Sequence, residues 1–167
     1  MAPFPISQKT EKLQENGFEL KYPSDWKITS EKITSEYHQK TTVYDFLHPK
    51  NKLCHLAVKV LNFFEASAVV IPKDEVIATE IRVHKEMFAR TGYQNFTFQS
   101  VQIKFANQFA TQIKFRGRKG DIQRTTFTII VPSQGRFYIV DYDWFDAWGV
   151  HVLDQLKSIA ESFRLLG

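Results

Sequence analysis

Three groups of side chains in this sequence have types and spacings that could do chemistry. Asp141 and Asp143 stand two apart, so an extended backbone points both carboxylates to one face, and Asp146 follows closely. Oxygen-only donors of that kind suit Ca²⁺, Mg²⁺ or Mn²⁺. The plainer reading is a solvated strand end beside a helix that Asp146 caps. A second group is basic: Arg116, Arg118, Lys119 and Arg124 crowd around a link that carries two glycines. A projecting positive tip would contact phosphates or an acidic partner. No aromatic residue is interleaved there, which stacking on single-stranded nucleic acid would want. A protein partner is therefore the better expectation, and a solvated hairpin the plainer one.

The third group is the five histidines, His38, His48, His55, His84 and His151. None pairs with another at the helical i, i+4 or the strand i, i+2 spacing that builds a metal face. His84 falls seven residues after Ile77 on an apolar helical stripe, where a hydrogen-bonded histidine at the core margin is the ordinary reading. The single Cys54 allows no internal disulfide and no multi-cysteine zinc site, and its apolar neighbours mark it as a small buried hydrophobe. No nucleophile elbow, phosphate loop, dinucleotide fingerprint or H-E-x-x-H run occurs. No catalytic residue, cofactor or metal is therefore expected. An enzyme or small-ligand carrier working in a cleft between sheet and helix is the alternative, with Asp141, Asp143 and His84 as its candidates.

The elements that must position these groups follow from periodicity. Residues 1–15 are polar and show no period, and they read as a flexible leader before a single domain over 16–167. Phe18, Leu20 and Tyr22 alternate with Glu19 and Lys21, a half-buried strand that Pro23 ends. Trp26 begins a second extended piece, and further strands run from Tyr37 to Leu47 and from Lys52 to Asn62. In the latter, Cys54, Leu56, Val58 and Val60 face one way, and His55 and Lys59 face a wet side. The period then changes: Ile77, Ile81 and Phe88 mark a helix over 73–90, with Pro72 before it and Gly92 after it.

Four strands follow, near 93–106, 108–116, 122–131 and 136–144, the first bent or bulged near Gln99. Their short links, Gly117 to Gly120 and Pro132 to Gly135, predict antiparallel neighbours. A second helix over 146–163 buries Leu156, Ile159 and Phe163. Strands, helix, strands, helix is an α+β order, an antiparallel sheet flanked by helices.

Composition agrees. At 167 residues the chain can bury about 70% of its unfolded surface, enough for a core without disulfide staples. Fifteen Phe, six Tyr and three Trp predict a core of large flat side chains. No run approaches the roughly 18 apolar residues of a membrane span. The net charge of +4 is uneven. Lys104, Lys114, Arg116, Arg118, Lys119 and Arg124 face only Asp121 between them, whereas 141–146 holds acids alone, a polarity that suits docking on a charged surface.

The stretch Gly17 to Trp26, with its Tyr22-Pro23-x-x-Trp26 core, resembles the opening strand of the PsbP-like superfamily. The ending, Leu156 to Arg164, is similar to that superfamily's closing helix. The resemblance implies an α/β/α sandwich of the PsbP/Mog type around an antiparallel sheet. It also implies a non-enzymatic accessory protein that docks on a protein partner or membrane-associated complex. Members include extrinsic photosystem II subunits of the thylakoid lumen, exported bacterial proteins and lipoproteins, and the nuclear Mog proteins that bind the Ran GTPase. An exported location is thus expected, with the cytoplasm as the alternative. No family active site comes with it.

Overall fold

The structure, a computed structural model, describes residues 9–34, 40–62, 72–133 and 135–167. His38, Gln134, the first eight residues and part of the apolar window after Leu61 lie outside the described residues. Among the described residues are ten strands, all paired antiparallel, and two α-helices.

The frame is a seven-stranded sheet: β3 (Lys27–Thr34), β4 (Lys40–Leu47), β5 (His55–Asn62), β6 (Gln94–Phe105), β7 (Gln108–Lys119), β8 (Ile122–Ser133) and β9 (Arg136–Phe145). Its strand order is β3-β4-β5-β9-β8-β7-β6, so two meanders meet along the β5–β9 seam. The expected antiparallel α+β class is present, but the sheet is not alone. β1 (Thr10–Glu15), β2 (Phe18–Pro23) and the two-residue β10 (Arg164–Leu165) form a second sheet in the order β1-β2-β10. Residues 10–15, read as leader, thus make a strand whose side chains are mostly exposed, which is why no hydrophobic period marks it. The expected single sheet is two.

On one face, β2 and helix α2 (Val150–Glu161) pack on the large sheet. Phe18 stands at the centre, 5.6 Å from Phe163 in a stack, and edge-on to Tyr44 and Tyr138. On the other face lies α1 (Lys73–Arg90), whose bounds match the expectation because Pro72 and Gly92 bracket it. Gly92 takes φ +87°, and the Tyr93 amide reaches back to the Phe88 carbonyl at 2.9 Å, closing the helix.

Several local expectations change. The irregularity of β6 sits between Gln94 and Thr97, with Asn95 at φ +57°, rather than near Gln99. β5 begins at His55, and its second side is not wet, since Ala57 and Leu61 are buried. β7 continues to Lys119, and the turn is Gly120–Asp121. Gly117 therefore lies inside a strand. A Cβ there would sit 2.5 Å from the Phe88 ring, so close packing, not turning, requires the glycine. Asp146 opens a 3₁₀ turn, Asp146–Trp148, and α2 starts only after Gly149 at φ +83°. Asp146 is not its N-cap; its Oδ1 accepts from the Gln123 amide at 3.1 Å.

Candidate functional site

The buried residues of α1 are Val76, Glu80, His84 and Phe88, one every fourth position, so a single column faces the sheet. Its middle two members are titratable. Both need partners from the strands beneath, because a buried charge without one is costly. β9 and β8 supply those of His84. His84 Nε2 lies 3.4 Å from Asp141 Oδ2, and Thr128 Oγ1 donates to Asp141 Oδ1 at 2.8 Å. His84 Nδ1 lies 2.8 Å from the Glu80 carbonyl, which can only accept, so Nδ1 carries the proton. The imidazole also stacks on Phe115, 4.3 Å between centroids.

Electrostatics then fixes the charge. Burial opposes protonation of His84, but the Asp141 carboxylate and its hydrogen bond, with the field of Glu80, lift the pKa from 6.5 up to about 9. Burial pushes Asp141 up. The charge and hydrogen bond of His84, helped by Lys59 and the Thr128 hydroxyl, hold it well below the usual carboxylate range. At neutral pH this is an imidazolium held by the Asp141 carboxylate and the Glu80 carbonyl. Glu80, His84 and Asp141 offer ligand atoms within 4.8 Å of one another, a set that a divalent cation could use only by displacing the His84 proton. Glu80 was missed in the sequence, where a glutamate on a helix reads as solvated. Its i, i+4 spacing to His84 was the available signal.

The candidate acidic trio, Asp141, Asp143 and Asp146, does not assemble. Asp141 and Asp143 do share a face, but each serves a different cation, and Asp146 serves the Gln123 amide. Nor are the first two a solvated strand end. Asp143 takes Arg124 at both Nε (3.3 Å) and Nη2 (2.9 Å), and accepts from the Thr126 hydroxyl.

The basic quartet is likewise divided by strand alternation. Arg124 is 7% exposed, its guanidinium 4.7 Å from the Phe88 centroid and 5.4 Å from that of Tyr93. It belongs to the interior. Lys119, on the same face, donates to the Thr91 carbonyl at 3.1 Å at the end of α1. With His55, held by Asp45 at 3.2 Å, they line a hollow of about 330 Å³. Arg116 and Arg118 point to the opposite face, exposed, beside Thr97 of β6. Neither makes an ion pair among the described residues. Cys54 is fully buried, and burial pushes its thiol up to about 11, which leaves it unreactive.

The architecture just described is the PsbP-like fold. The solution structure of cyanobacterial PsbP from Synechocystis superposes with a TM-score of 0.65 at 16% identity, covering 96% of this chain and 94% of that one. A second similar structure is LpqN, involved in cell envelope biogenesis of Mycobacterium tuberculosis, at a TM-score of 0.52 and 16% identity, covering 96% and 92%. A Bacteroides thetaiotaomicron protein matches at 0.51 and 11% identity, over 93% of this chain and 48% of its own. No family model and no curated protein matches the sequence itself. No helix among the described residues is long and apolar enough to cross a membrane.

Proposed function

We propose that this protein is a non-enzymatic accessory protein that docks on a protein partner through the face bearing Arg116 and Arg118. One observation carries the reading. The buried cations His84 and Arg124 are each held by a carboxylate, whereas these two exposed arginines are left unpaired among the described residues. Unpaired surface cations steer an acidic partner and set its capture rate. The titratable groups of the α1 face are engaged with one another, which supports a structural use over a catalytic one. The fold shared with a cyanobacterial PsbP and with a protein involved in cell envelope biogenesis supports an accessory role.

A photo-crosslinking residue at Thr97, beside Arg116, should trap one dominant protein in cells that make this chain natively. Reversing Arg116 and Arg118 to Glu should abolish that adduct. The same label at Leu53, on the turn before β5, should give none. An adduct that forms equally at Leu53, or survives the charge reversal, overturns the reading.

A further inference from the structure

On the face where Arg116 lies, a groove of about 310 Å³ runs between α2 and the β6–β7 arm. That is the lower end of the range of ~300–1,000 Å³ over which proteins hold small ligands or inserted side chains. Lys104, Lys114 and Lys157 line it, and Glu161 is its one acid. Its floor is the Phe127–Tyr142 pair, stacked at 4.9 Å, with Lys114 Nζ 5.5 Å from the Phe127 centroid. Partial burial pushes Lys114 below its ordinary value, and Arg116 and Lys157 press it further the same way. None of these four cations makes an ion pair among the described residues. The hollow on the α1 face is comparable in volume, but there Asp143 already answers Arg124, and Asp45 answers His55. In that hollow two cations already hold a carboxylate, whereas among the described residues none of the lysines of the α2 groove does.

We propose that the α2 groove binds an acidic, extended protein segment, its carboxylates meeting Lys114 and Lys157 and an apolar side chain lying against the half-buried Ile103. The proposal rests on the docking reading and names the partner's chemistry. The floor argues against nucleic acid, because Phe127 and Tyr142 are each only 5% exposed and offer no ring face for a base to stack on. A second copy of the chain is disfavoured because it would bring the same cations against this rim. A carboxylate here relieves the crowding of Lys114 and desolvates only modestly, since the rim lysines stay in contact with water.

The test uses a fluorescein-labelled octapeptide, Glu-Glu-Phe-Glu-Glu-Phe-Glu-Glu, followed by anisotropy at low and high salt. The expected result is binding that weakens tenfold or more in Lys114→Glu/Lys157→Glu, and similarly when the peptide's glutamates become glutamines. Amide shifts in the wild-type spectrum should centre on 103–114, 127–129 and 157–161. If the reversed pair does not fold, Lys114→Gln/Lys157→Gln gives the same reading with a smaller loss. Unchanged affinity in these variants, or shifts confined to the β7–β8 turn, overturns the proposal. A DNA duplex that binds more tightly and competes for the groove overturns it in favour of nucleic acid. A dimer lost in the same variants overturns it in favour of self-association. If the Thr97 adduct persists while Lys114→Glu/Lys157→Glu leaves the partner's binding intact, docking stands and the groove assignment falls.

Discussion

The two faces of the seven-stranded sheet solve the same burial problem in different ways. The α2 face is closed by a helix and a small sheet together, and its core is a continuous body of apolar residues from Phe18 to Phe163. The α1 face is closed by one helix. It buries a smaller apolar patch, Leu61, Val76, Phe88, Ile113, Phe115, Ile130, Phe137 and Ile139, with Glu80 and His84 in the same helical column. Stability on the first face comes from packed area; on the second it depends in part on satisfied charges. The difference teaches that a buried polar seam here is a consequence of which residues α1 turns inward, with His84 met by Asp141 of β9, which Thr128 of β8 holds in turn.

Phe18→Ala should give the largest effect, about 3–5 kcal/mol lost, because it empties the centre of the apolar face. Urea denaturation measures it; a loss below that of any α1-face substitution would break the comparison. Asp141→Asn follows, at about 3 kcal/mol near neutral pH, since it leaves His84 without its carboxylate. The sign of the pH dependence sharpens this. His84 has a folded pKa of about 9, above its ordinary 6.5, so its contribution is fully present below 6.5 and is lost as pH rises through 9. The wild-type melting midpoint should fall across pH 7–10, and that of the variant should stay much flatter. Identical curves would remove the seam from the account.

Gly117→Ala should cost about 1–3 kcal/mol, because the added methyl meets the Phe88 ring and displaces it from Arg124. Thermal melts read it, and no change would show the α1 face to be loosely packed. The smallest effect belongs to Arg116→Glu with Arg118→Glu, a change of about 0.5 kcal/mol or less in stability. A larger loss on the same denaturation assay would make these side chains structural rather than docking residues.

What the sequence made legible follows from pattern strength. The α1 helix and the inward set Cys54, Leu56, Val58 and Val60 were plain because apolar period and punctuation agreed. β1 was hidden because its side chains are mostly exposed, and of its residues only Leu13 packs on the core. His84 and Asp141 were grouped only under the alternative of a cleft between sheet and helix, and their pairing as a buried ion pair was not legible. They stand on different elements, and only the register of β9 against β8 and the pose of α1 bring them together. Arg124 was assigned to a partner-binding hairpin tip because the strand was ended at Arg116. Three more paired residues in β7 carry Arg124 beneath Phe88. The local sequence around Arg124 does not encode that burial.

β10 has a further consequence. Arg164 and Leu165 pair with Glu19 and Phe18, and the Leu166 amide meets the Gly17 carbonyl at 2.8 Å, with nearly the whole large sheet between them in sequence. During synthesis β2 emerges long before its neighbour β10, with all seven strands of the large sheet made in between. Phe18 cannot be sealed beneath Phe163 until α2 has left the ribosome. Closing so long a loop costs more entropy than forming any of the local hairpins, so this clasp closes last and opens first. Between those moments the chain carries an almost finished sheet with its aromatic face still bare, the interval in which a chaperone can hold it.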